Sequence, residues 1–232
     1  MRSCPSLATL AVVLALAAPV AGAQPGFRFS QPDDTDRAEQ AAREAREDRI
    51  AEALSTPCRA DLRNKKIMVV IGEQRSDGYI VAEQTNYGPH YRAINDRLKA
   101  LGLRTYTPEE IRRQIAQAEI DAQFRNDPDA ALSASKRLGA SFVLRGLITS
   151  QAVPNPVMRV NQVSVTMGFT LTGSNGRLVS SADAHSASYA GADVAKMALT
   201  LVDEQADEVV AKLYGDYCRN AGFGNATART RK

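Results

Sequence analysis

Lys66-Ile67-Met68-Val69-Val70-Ile71-Gly72 is the stretch that decides the fold class. Five apolar residues in an unbroken run read as a strand buried on both faces, and such a strand belongs to a sheet with helices packed on it. A later stretch has the opposite pattern. Val163, Val165, Met167, Phe169 and Leu171 alternate with Ser164, Thr166, Gly168, Thr170 and Thr172, as in a strand packed on one side only. Ser174-Asn175-Gly176 then turns the chain, and Arg177 to Tyr189 returns as an antiparallel partner whose face is small and polar.

Between and around these strands the apolar spacing becomes helical. Tyr91, Ile94, Leu98 and Leu101 recur on one face and Gly102 supplies a stop. Leu103 to Tyr106 reads as a short strand. Thr107-Pro108-Glu109-Glu110 combines an N-cap, a proline at the first helical position and a capping-box glutamate, ahead of Ile111, Ile115 and Ala118 on one face. Asp127-Pro128 opens a further helix that Gly139 ends, and Phe142 to Ile148 makes a second buried strand. The last element is a long helix from about Ala192 to Tyr214, striped by Ala198, Val202, Ala206, Val209 and Leu213, with Cys218 just after it. The expected fold is α/β: a mixed sheet with a C-terminal antiparallel hairpin and helices packed on it.

The N-terminal region has a different character. Arg2, the apolar run from Leu7 through Ala18, and Ala21-Gly22-Ala23 together read as a cleavable secretory signal over residues 1–23, with Gln24 as the first mature residue. That run falls short of the roughly 20 residues that span a bilayer, so no transmembrane segment is expected after cleavage. Residues 24–36 read as a flexible leader and residues 37–57 as a charged, Ala-rich helix that serves as a solvated spacer or as a partner-binding helix. The α/β domain is expected over 58–218, and a disordered tail over 219–232. Without the signal, 209 of the 232 residues remain and the net charge falls from +3 to +2. No run of Lys and Arg accompanies so small a charge, so no nucleic acid partner is expected.

Export places the two remaining cysteines, Cys58 and Cys218, in an oxidising compartment, where a disulfide is the expectation for an even count. A bridge between positions 160 apart would contribute about 5 kcal/mol at most by the chain-entropy argument. Signals for chemistry are sparse. Gly72-Glu73-Gln74 has the position of a phosphate loop but lacks its glycines and lysine. His90 lies beside Tyr87 and Tyr91 at a helix start, and His185 lies in an alternating strand; neither has neighbours at metal-ligand spacing. Glu109 and Glu110 are explained by capping, and no Gly-x-Ser-x-Gly elbow exists. No catalytic, cofactor-binding or metal-binding residue is therefore expected. The candidate interaction surface is Tyr87, His90, Arg92, His185 and Tyr189.

Lys136-Arg137-Leu138-Gly139-Ala140-Ser141-Phe142-Val143-Leu144-Arg145-Gly146 resembles the helix-Leu-Gly-Ala-strand-Gly segment of curli-secretion CsgG-like domains. Those domains are similar to the LpoB-like activator lipoproteins of penicillin-binding proteins and to the amino-terminal domain of TolB. Val163 to Ser181 is similar to that family's following hairpin, so the resemblance runs from about Lys65 to Leu213. It implies an envelope protein that works by protein contact, with no catalytic residues to carry over. The chain lacks the lipid-bearing cysteine of the lipoprotein members. Thr149 to Arg159, punctuated by Pro154 and Pro156, reads as too short for membrane strands of about ten residues each. The expected function is that of a non-enzymatic periplasmic interaction protein assisting envelope assembly, secretion or peptidoglycan synthesis. Its partner would be an envelope protein of unassigned identity, and a homo-oligomer stays open. The alternative is a periplasmic binding module for a small ligand or glycan, using Glu73 to Gly88 and the small-residue face of Arg177 to Tyr189.

Overall fold

The run that decides the fold forms β1 (Lys66–Gln74), and it is buried without a break from Ile67 to Gly72. A computed structural model describes residues 34–74, 80–81, 88–122, 124–125, 128–191 and 193–221. The signal segment, most of the leader, Tyr87 and residues 222–232 lie outside the described residues. The chain divides into two units, 1–41 and 42–232. In the first, the described residues are the opening of α1 (Asp34–Ser55), where Arg37 pairs with Asp34 at 2.9 Å. The second unit contains the sheet.

Among the described residues the sheet has six strands, in the order β2 (Ile80–Val81), β1, β4 (Phe142–Pro154), β5 (Asn161–Gly173), β6 (Leu178–Ala190), with β3 (Arg104–Thr105) beside the start of β1. β1 runs parallel to β3 and β4, whereas β4, β5 and β6 form an antiparallel meander. The crossover from β1 to β4 contains α3 (Pro89–Ala100), α4 (Pro108–Gln114), α5 (Gln117–Ala122) and α6 (Pro128–Leu138), and α2 (Ala60–Arg63) precedes β1. The chain closes with α7 (Val194–Asn220).

Two apolar clusters follow from the alternation of side chains across the sheet. Ile67, Val69 and Ile71 join Phe142, Leu144, Ile148 and the alternating residues of β5 beneath α3 and α7. Met68, Val70 and Val143 face the other way, against Ile111, Ile115, Ile120 and Leu138 of the crossover helices. Gly146 stands in register between Ile71 and Phe169 of the first cluster, and a Cβ there would stand 2.3 Å from the Phe169 ring. The missing side chain is what lets that ring pack against β4.

Several expectations change in the structure. The helix expected through Ala118 breaks at Ile115, which turns extended (φ −125, ψ 124), and restarts as α5. Ile120, not Ala118, then supplies the next buried contact. β4 does not stop at Ile148: it pairs with β5 as far as Pro154, because Pro154 sits at the strand end where a missing N–H costs nothing. The last helix continues to Asn220, so Cys218 lies within it and the tail starts later than 219. α1 begins three residues before the expected Arg37. From Ala42 onward it lies on α7: Arg49 donates to Glu208 at 2.8 Å, and the Ala53 carbonyl passes so close to Gly215 that a Cβ there would come within 2.8 Å of it. No α1 residue is buried.

Candidate interaction surface

Follow the strand rows that point away from α3 and α7. Val70, Arg145, Thr170 and Ser181 stand opposite one another from β1 across to β6, as do Gly72, Leu147, Gly168 and Asp183, and then Gln74, Thr149, Thr166 and His185. On β1 this face is sealed by α4, α5 and α6. On β5 and β6 it is open, with Ser181, Asp183, His185, Ala187 and Tyr189 all exposed. Cross-strand hydrogen bonds tie the rows together: Thr149 Oγ1 donates to Gln74 at 3.0 Å, and Thr166 Oγ1 meets His185 Nδ1 at 3.1 Å. Because Gly168 has no side chain, a hollow of about 320 Å³ opens over it, flanked by Phe124, Arg145, Leu147, Thr170 and Asp183.

At one end the hairpin projects past β1, which ends opposite Thr149. Val153 there is 59% exposed, Val157 86%, Met158 51% and Tyr189 50%. Val153 and Tyr189 occupy one row, separated by Gln162, and Val157 and Met158 occupy the turn beyond it. The Asn155 side chain holds that turn by accepting from the backbone N–H groups of Val157 and Met158 at 2.9 and 3.0 Å. The apolar side chains are thus presented by a fixed backbone.

The expected surface residues separate. His185 and Tyr189 share the open face. His90 and Arg92 ride on α3, which covers the opposite face, and Tyr87 lies outside the described residues. His90 Nδ1 is 3.1 Å from the Glu73 carboxylate, an ion-pair distance without the alignment of a hydrogen bond. Sequence reasoning missed Val153, Val157 and Met158. Their signal was available: three large apolar residues within a polar, Pro-punctuated segment have no periodicity that would bury them.

The opposite side of β6 is anchored to α7. Ser180 Oγ donates to Asp216 at 2.6 Å, and Lys212 and Arg219 each approach the same carboxylate at 2.9 Å. Burial raises the Asp216 pKa, but the three donors outweigh it and hold the carboxyl below its usual range. Tyr217 is fully buried, packs edge-on against Phe142 and donates to the Leu62 carbonyl at 2.5 Å. Burial, with the charge of Asp61 adding to it, pushes its hydroxyl pKa up. Next to it, Cys58 and Cys218 stand at disulfide-bonding distance, with Cα atoms 4.5 Å apart. Among the described residues no three His, Cys, Asp or Glu side chains gather as a metal site, and no helix is long and apolar enough to cross a membrane.

No family model matches the chain, and no curated protein does. Solved structures similar to it include the hypothetical protein CT253 from Chlamydia trachomatis, at TM-score 0.47 and 15% identity over 67% of this chain and 99% of that one. The PelC dodecamer from Paraburkholderia phytofirmans aligns at TM-score 0.38 and 18% identity over 67% and 93%. The LpoB C-terminal domain from Salmonella enterica aligns at TM-score 0.33 and 13% identity over 59% and 91%.

Proposed function

We propose that this chain is an exported, non-catalytic binding protein of the cell envelope that engages a protein partner through the projecting end of the β4–β5 hairpin and the adjoining open face. One observation carries the reading. Val153, Val157, Met158 and Tyr189, four large apolar side chains that are all exposed, gather at one end of the sheet, with Gln162 between Val153 and Tyr189, and such exposure beside a rigid turn is the mark of a contact surface. The signal read from residues 1–23 supports a periplasmic location, and the CsgG-like and TolB-like resemblance around Gly139 and Gly146 agrees with a role in envelope assembly, secretion or peptidoglycan synthesis.

A photo-crosslinking residue at position 157, expressed in cells that export the protein, tests this. The expected result is one discrete adduct, absent when the same residue replaces Arg113 on α4 and absent in a Val153→Asp/Met158→Asp background. No adduct at 157, or the same adduct at 113, would overturn the reading. Shock-released protein should begin at Gln24. A second reading, capture of a small ligand or glycan, has the hollow over Gly168 in its favour, with Arg145 and Asp183 both among its lining residues. Saturable binding of a glycan fragment, abolished by Gly168→Leu, would support it.

A further inference from the structure

We propose that the outer edge of β6 pairs antiparallel with β6 of a second copy about a two-fold axis through Ala184, joining the two sheets into one. Among the described residues β6 is the terminal strand of the sheet. An edge strand presents unpaired backbone groups, and soluble proteins ordinarily guard such edges with charged side chains, Lys above all, with Pro or with bulges; Asp183 is the one charge here that a second copy would have to match. From Ser181 to Ala187 this edge carries Ser, Ala, Asp and His only. Its one irregularity, the register shift opposite Leu171 and Thr172, lies before that segment, where Asn220 also donates to the Val179 carbonyl at 3.3 Å. The start of β6 is thus covered, and from Ser181 onward no strand pairs with this edge among the described residues, while Gln205, Glu208 and Lys212 of α7 flank a shallow hollow beside Ala182 to Ala184.

The open part is complementary to itself. With Ala184 on the axis, Asp183 of one copy stands directly opposite His185 of the other, and symmetry makes the pair twice, as an isologous interface requires. Both side chains lie on the exposed face. Thr166 Oγ1 pairs with His185 Nδ1; with Thr166 as the donor, Nε2 carries the ring proton and can donate across the axis. Asp183 forms no hydrogen bond or ion pair among the described residues; within one copy it is two positions from His185 on the same strand, too far along the pleat to meet it. On the other face Ala182 would oppose Ser186, and Ala184 its own copy, all too small to hold the strands apart. This inference concerns the edge of β6 from Ser181 to Ala187, whereas the hairpin-end partner is centred on Val153, Val157 and Met158, and the two have separate tests.

Sedimentation equilibrium of the mature chain up to about 100 µM, enough to populate a dimer of micromolar affinity, reads the association. A Cys scan reads the register. Residues facing each other across an antiparallel pair are spaced for a disulfide. Ala184→Cys should therefore crosslink to itself, whereas Ala187→Cys should crosslink only when mixed with Ser181→Cys. Asp183→Lys should raise the dimer dissociation constant about tenfold, and Asp183→Lys/His185→Asp should restore it. A monomer at the highest concentration, or self-crosslinking at position 187 equal to that at 184, would overturn the proposal. So would a dimer that forms only after residues 24–33 are removed, since the leader would then be the occupant of the edge. The photo-crosslinking result at position 157 stands or falls separately.

Discussion

The β1 half of the sheet and the β5–β6 half are built from the same hydrogen-bond ladder but face different surroundings. The row Val70, Arg145, Thr170, Ser181 makes the contrast along a single line: Val70 is fully buried under the crossover helices and Ser181 is exposed. A parallel strand needs a crossover, and the crossover brings helices to cover it; an antiparallel meander needs only turns, and its outer face stays bare. The proposed contact surface therefore lies on the half that the chain crosses cheaply.

The strongest way to test that contrast is at the clasp behind both halves. Reducing the expected bridge between Cys58 and Cys218 should remove up to about 5 kcal/mol. Alkylation with and without denaturant, followed by denaturant melts, measures both the bridge and its effect. Gly146→Ala comes next: a methyl 2.3 Å from the Phe169 ring should cost roughly 1 to 3 kcal/mol. The double variant Gly146→Ala/Phe169→Leu should recover part of that loss, and a simple sum of the two single effects would show that the ring contact is not the cause.

Along the shared row, Val70→Ala should destabilise by about 2 kcal/mol through the cavity it leaves, while Thr170→Ala and Ser181→Ala should stay within about 0.5 kcal/mol. Equal losses at Val70 and Ser181 in thermal melts would mean that the outer face is covered in solution. The smallest effect concerns acid. The Asp216 carboxyl has a lowered pKa in the folded protein, so it stabilises the fold above the ordinary carboxylate range. That stabilisation is lost as pH falls through the lowered value. Ser180→Ala removes one donor and should cost about 1 kcal/mol near neutrality, with less difference from the parent at low pH. A difference that grows on acidification would reverse the assignment.

Much of this was legible in the residues. The unbroken run at Ile67 to Ile71 and the alternation from Val163 to Leu171 gave the two kinds of strand, because period and burial are linked by the pleat. All five stripe residues expected on α7 are buried there. What escaped were features set by tertiary context. Ile80 and Val81 are too few to make a pattern, and they pair only because Glu73 and Gln74 extend β1 beyond its apolar run. Pro154 and Pro156 obscured the hairpin because the paired strand ends at the first of them. The contact between α1 and α7 rests on Arg46, Arg49 and Ala53, which on α1 alone look like any solvated helix face. The edge position of β6 is a matter of topology, not of composition.

The register between β1 and β4 also has a consequence for how quickly the chain finds its fold. Ile67 must meet Phe142 across the whole crossover, whereas Pro154 meets Asn161 across one short turn. Closing the longer loop costs more entropy before any contact repays it, and non-local pairing of this kind slows folding. The meander should therefore be structured in the folding transition state while β1 is still unattached. Val165→Ala should slow refolding, and Val69→Ala should chiefly speed unfolding.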